Sequence, residues 1–195
     1  KLQGFRRRAQ AVFQDPYSSI NTFMSIAQIV EEPLLVHRIG TRAERLERVA
    51  RALEDVRLTP AESFLTKFPH TLSGGEQQRL AVARAWAVQP EVLFMDEPAA
   101  ALDPAATHIL EDIMAAIRAA GTKIIMSTHD LGQARRLADD VVFLYRGRML
   151  ERAPADRFFE KPENDLAEAF LNGELLWWNR KELKPPEHFK LRRQK

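Results

Sequence analysis

The chain has 195 residues, with 45% hydrophobic and 29% charged residues, which excludes wholesale disorder and collagen-like repeats. It has no cysteine, so disulfides and thiolate metal sites are excluded, and no apolar run of about 18 residues offers a membrane span. The net charge of +2 is unevenly spread: residues 180–195 hold seven Lys/Arg against Glu182 and Glu187, while the remainder is slightly acidic. That tail reads as a solvated extension that could favour an anionic membrane surface.

In chain order, Lys1 to Arg8 reads as the approach to a strand, and Lys1 as an internal start with coding sequence upstream. Residues 9–13 form a short buried strand, and Gln14-Asp15-Pro16-Tyr17-Ser18-Ser19 a loop. Phe23, Ile26, Ile29, Val30 and Leu34 sit at helical spacing over 23–36. Thr41-Arg42-Ala43-Glu44, Thr59-Pro60-Ala61-Glu62 and Ser73-Gly74-Gly75-Glu76 each have capping-box form, so each predicts a helix start. The first helix runs to about Val56 and the third stops before Pro90.

Beyond Pro90 the pattern changes. Val92-Leu93-Phe94-Met95 is a continuous apolar run ending in Asp96-Glu97, as expected for a fully buried parallel strand. Asp103-Pro104 caps a helix ending at Gly121, and residues 123–127 make another buried strand. Asp130 opens a helix to about Ala138. Residues 141–145 and 148–151 flank the hairpin signal Arg146-Gly147. The segments 9–13, 92–95, 123–128 and 141–145 are expected in one α/β sheet, with a helical lobe over 23–90 set apart from it.

Four places carry candidate chemistry. Leu72-Ser73-Gly74-Gly75-Glu76 puts two glycines behind a serine cap, where exposed amides and the positive helix end suit a phosphate. Read alone, it is equally a softened helix cap. Asp96 and Glu97 end a strand, where α/β sheets bind ligands. Asp96 can hold Mg²⁺ and Glu97 can polarise water, although two solvated acids at a strand end are common. His129 also follows a strand and could orient water or meet a γ-phosphate. Gln14 is a water or Mg²⁺ contact only in combination with the others.

Taken together, their order resembles the ATP-binding cassette (ABC) ATPases over about residues 9–177. That resemblance implies a P-loop NTPase-like α/β core, here a truncated and mainly parallel sheet, with an all-helical subdomain. The implied layout is a Q-loop strand and loop at 1–22, a signature subdomain at 23–90, a core at 91–177 and a basic tail at 178–195. It makes Gln14 the Q-loop glutamine and Leu72, Ser73, Gly74, Gly75 and Glu76 the signature, touching ATP held by the opposite subunit. Asp96 becomes the Walker B aspartate that holds Mg²⁺, Glu97 the catalytic carboxylate, Asp103 the D-loop acid and His129 the switch histidine. Two departures stand out. Pro98-Ala99-Ala100-Ala101 lacks the hydroxyl residues many members carry at its middle positions, and no Gly-x-x-x-x-Gly-Lys-Ser/Thr occurs anywhere in the 195 residues. The expectation is that this phosphate loop belongs to sequence upstream, and that the chain alone does not hydrolyse ATP.

Leu72 follows Gln14 by only 58 positions, a short connection that resembles import-type subunits that dock on a membrane permease. The segment from Gln14 to Pro33 is similar to peptide and nickel importers. The segments 153–159 and 170–175 are similar to tungstate and other oxyanion importers, which tips the reading slightly that way. The implied partners are a second ATPase subunit, a permease and, indirectly, a binding protein, with no nucleic acid. The implied place is the cytoplasmic face of the cell membrane. The alternative is a catalytically inactive fragment acting as a dimer or assembly partner.

Overall fold

The computed structural model describes residues 2–15 and 20–174, so Pro16 to Ser19 of the expected loop and the basic tail lie outside the described residues. The described residues form two compact units, divided between Asp130 and Leu131. That division falls inside the 91–177 segment.

The first unit runs α1 (Leu2–Arg8), β1 (Ala9–Val12), α2 (Ile26–Val36), α3 (Arg42–Asp55), α4 (Glu62–Leu65), a 3-10 turn (Pro69–Thr71), α5 (Gly74–Trp86), β2 (Val92–Asp96), α6 (Pro104–Ala119) and β3 (Lys123–Ser127). Residues 2–8 are thus helical, not extended: Arg6, Arg7 and Arg8 occupy the last turn, where cations suit the helix dipole, and Gln10 Nε2 donates to the Arg6 carbonyl at 2.6 Å.

α2 starts three residues later than its apolar spacing suggests. Ser25 accepts from the Gln28 amide while the Gln28 side chain accepts from the Ser25 amide, a capping box that leaves Phe23 outside the helix and 92% exposed. The Thr41–Glu44 box opens α3 as expected. The Thr59–Glu62 box does not form: α4 begins at Glu62, Ala61 caps it without a side-chain bond, and the Ser63 amide donates to the Pro60 carbonyl. Ile26, Ile29, Val30 and Leu34 of α2 are buried, as are Val49, Ala52 and Leu53 of α3 and Leu80 and Val82 of α5, and the three helices pack together. Glu31 accepts from Arg45 at 2.8 Å, Glu32 from Arg84 at 2.7 Å and Asp55 from Trp86 Nε1 at 2.7 Å, tying the same helices by polar bonds.

The sheet order is β1-β2-β3, all parallel, with Val12 beside Met95 and Met95 beside Met126. The β2–α6–β3 crossover explains the parallel pairing of β2 and β3. α5 packs against β1 and α6 against β3. Val12, Leu93 and Met95 are buried. The neighbouring row is not: Ala11, Phe94 and Ile125 lie side by side in register, with Phe94 42% and Ile125 46% exposed. The strands therefore alternate instead of being buried on both faces, because the row holding Phe94 remains open to solvent.

The second unit contains α7 (Leu131–Leu137), β4 (Asp140–Tyr145), β5 (Arg148–Pro154), α8 (Ala155–Glu160) and α9 (Asp165–Leu171). Here the expectation for 141–145 is corrected: β4 pairs antiparallel with β5 and does not join the parallel sheet. The cause is local. Arg146 and Gly147 both have positive φ, 48° and 74°, the twist that closes a two-residue hairpin. Phe143, Ala153, Phe158 and Ala167 form this unit's core, with Phe170 packed against it. No helix among the described residues is long and apolar enough to cross a membrane.

Candidate functional site

Parallel strands end together, so β1, β2 and β3 deliver Gln14, Asp96-Glu97 and His129 to one edge of the sheet. Asp96 is paired in register with Ser127. The Ser127 hydroxyl donates to Asp96 Oδ1 at 2.5 Å. The same hydroxyl accepts from the Glu97 amide at 3.1 Å, and the Ser127 carbonyl accepts from that amide at 3.1 Å as well. Glu97 has φ 45°, in the left-handed region that costs a non-glycine residue about 1–2 kcal/mol. Its carboxylate Oε2 lies 2.6 Å from His129 Nδ1. The Glu97 side chain is 22% exposed and that of His129 74%, so the imidazole stands at the surface. The hydrogen bond to Glu97, then its negative charge, raise the His129 pKa above its ordinary value, with Asp130 adding a smaller push. Ser127 was not among the residues singled out from sequence. Its only signal is its place at the end of an apolar strand.

Asp96 offers exposed carboxylate oxygens, the donor type a hard cation takes. Among the described residues no group of three or more His, Asp or Glu converges to hold a metal. A cation here would be held by Asp96 with water or ligand oxygens completing its shell. Gln14 is exposed, two residues past the end of β1.

A second group lies at the start of α5. The Ser73 hydroxyl accepts from the Glu76 amide and donates to Glu76 Oε2 at 2.7 Å, and Glu76 Oε2 accepts from the Ser73 amide at 2.8 Å. The Ser73 hydroxyl holds the Glu76 pKa below the usual carboxylate value, helped by the Ser73 amide. Leu72 is buried, and its carbonyl accepts from Gln77 Nε2 at 2.9 Å, so its side chain anchors the turn and does not face outward. Gly74 has open space where a Cβ would stand. At Gly75 a Cβ would meet Ala106 Cβ at 3.0 Å, so the start of α5 lies close against the first turn of α6. Asp103 caps α6 by accepting from the Ala106 amide at 2.8 Å. The two helix N-termini therefore sit side by side. Arg79 on α5 has its pKa lowered by burial, and its Nε, like Gln78 Nε2, is buried without a hydrogen-bond partner.

The predicted site residues thus fall into two groups. One is the strand edge with Gln14, Asp96, Glu97 and His129, and the other is the helix start with Leu72 to Glu76 and Asp103. The model of the ABC transporter family matches residues 1–100, covering both the first strand and the glycine-bearing helix start. The chain belongs to the ABC transporter family. It is 36% identical over 174 residues to the oligopeptide transport ATP-binding protein OppF of Bacillus subtilis (strain 168), covering 88% of this chain and 56% of that protein. It is 39% identical over 168 residues to the di/tripeptide transport ATP-binding protein DppF of Pseudomonas aeruginosa (strain UCBPP-PA14), covering 86% and 51%. Among solved structures it is similar to cbiO1 from Clostridium perfringens, part of the ABC transporter complex cbiONQ, with 28% identity, TM-score 0.69, and coverage of 80% of this chain and 61% of that one. It is also similar to MJ0796, a bacterial ABC transporter cassette solved as a dimer, with 28% identity, TM-score 0.65, and coverage of 76% and 64%. The chain spans about half the length of these two peptide-transport relatives. Both sequence relatives are named as peptide-transport ATP-binding proteins.

Proposed function

We propose that this chain is the ATP-engaging part of an ABC importer subunit that powers solute uptake through a membrane permease. The observation that carries the reading is the Glu97–His129 pair, 2.6 Å apart, standing beside Asp96 at the C-terminal edge of a parallel sheet. Glu97 acts as the base that polarises the attacking water, and His129 orients it from just past the end of the neighbouring strand. Asp96 would hold Mg²⁺, which would neutralise phosphate charge there. Gln14 senses the nucleotide from the end of β1. The amides of Gly74 and Gly75, at the positive end of α5, face ATP carried by a second cassette, with Asp103 beside them. In the structure the Ser73 hydroxyl proton is given to Glu76, so phosphate binding requires that hydroxyl to turn outward.

The 195 residues hold no Gly-x-x-x-x-Gly-Lys-Ser/Thr, so by themselves they lack the amide cradle and lysine for the β- and γ-phosphates. The signature turn contributes one face of a composite site formed with a second cassette. A permease and, through it, a binding protein complete the machine, which places the chain at the cytoplasmic membrane surface. Relatives named for peptide transport match over 168–174 residues, well beyond the Gln14 region, which favours a peptide cargo over the oxyanion that the C-terminal segments suggested. The test is uptake by membrane vesicles carrying the permease and the subunit. ATP-driven entry of a labelled oligopeptide supports this reading, and entry of tungstate supports the oxyanion alternative. ATP-independent entry, or none with the assembly intact, overturns it.

A further inference from the structure

We propose that Ser127 is the positioning residue of the strand edge: its one hydroxyl ties Asp96 to the backbone of Glu97 and thereby aims the Glu97 carboxylate at His129. A serine hydroxyl has one donor and two acceptor sites. Here the donor goes to Asp96 Oδ1 at 2.5 Å, and an acceptor takes the Glu97 amide at 3.1 Å. Both bonds cross from β3 to the end of β2, and both depend on the register that pairs Asp96 with Ser127. They act at the point where the chain turns into the left-handed conformation, φ 45°, that Glu97 needs to reach His129. A residue in this region persists only when its surroundings over-determine it. The Ser127 hydroxyl and carbonyl both hold the Glu97 amide, and the hydroxyl also bonds the Asp96 carboxylate. Oδ1 of Asp96 is thereby engaged, while the residue remains exposed. Ser127 is itself exposed, so removing its hydroxyl opens no cavity.

The inference rests on the strand edge being the working site, and one experiment separates the two. The 195-residue chain is titrated by NMR, following the His129 ring signals in wild type, Ser127→Thr, Ser127→Val and Glu97→Gln. Thr and Val have the same branched shape, and only Thr keeps the hydroxyl. Wild type titrates above the ordinary histidine value of about 6.5. Glu97→Gln brings the midpoint back toward that value, which verifies the pair. Ser127→Val loses at least half of the wild-type displacement, and Ser127→Thr retains it. A residue that only packed would lower the melting temperature and leave His129 unmoved. If Glu97→Gln shifts His129 while Ser127→Val titrates like wild type, the role of Ser127 is refuted and the site stands. If Glu97→Gln has no effect either, the site reading itself falls. Should Ser127→Val give a collapsed spectrum, Ser127→Ala is read by the same criteria.

Discussion

The helical lobe and the strand edge are held together by different physics. In the lobe, Ile26, Val30, Leu34, Leu53 and Leu80 are fully buried and every helix contributes to a shared interior. At the edge, Asp96, Ser127 and His129 are exposed and their arrangement rests on hydrogen bonds between two strand ends. Burial of an aliphatic side chain stabilises by about 1.5–3 kcal/mol, whereas an exposed polar bond adds about 1 kcal/mol or less. The lobe is thus held mainly by apolar burial, and the edge mainly by a few weaker polar bonds.

That contrast breaks most visibly in the lobe. Leu53→Ala should cost about 3 kcal/mol, within the usual range for a truncated core leucine, measured by urea unfolding. A loss below about 1 kcal/mol, the level of an exposed bond, would erase the distinction. Ser73→Ala should cost about 1 kcal/mol through the lost cap. The Glu76 pKa is lowered in the fold, so its contribution is present above the unfolded value near 4.5 and fades as pH falls through the folded one. Stability of Ser73→Ala should therefore fall less steeply in acid than that of wild type. The smallest effect is expected at the edge: Glu97→Gln should change unfolding free energy by about 0.5 kcal/mol or less at pH 7. Because the His129 pKa is raised, its ion pair contributes fully below about 6.5 and is lost as pH rises through the folded value. Glu97→Gln should remove that slope.

What could be read from sequence follows the range of the interaction. The boxes at Thr41–Glu44 and Ser73–Glu76 span three residues, so pattern alone revealed them. The Ser25–Gln28 box has the same spacing, but apolar Phe23 extended the helical period past it and drew the expected start forward. Thr59 had the pattern without the bond. The strand ends carrying Asp96 and His129 were legible because short apolar runs with terminal acids or histidine stand out. The Ser127 bonds were not, since they join residues about 30 apart and exist only through the β2–β3 register. The exposed row of Phe94 and Ile125 was equally hidden, because an apolar run does not say how many faces are covered. For β4, the Arg146-Gly147 turn predicted the hairpin, but nothing local said that β4 would stay out of the parallel sheet.

The central claim is that the helix start serves a nucleotide carried by another cassette, while Glu97 serves this chain's own edge. Titrating a weakly active full-length cassette subunit with this chain, and following ATP hydrolysis, tests it directly. Wild type should raise turnover. Ser73→Arg should remove that gain by about tenfold or more, since bulk and positive charge block a phosphate-facing helix end. Glu97→Gln should leave the gain within about twofold, because the completed site draws its catalytic carboxylate from the partner. Equal loss from both variants would contradict the account.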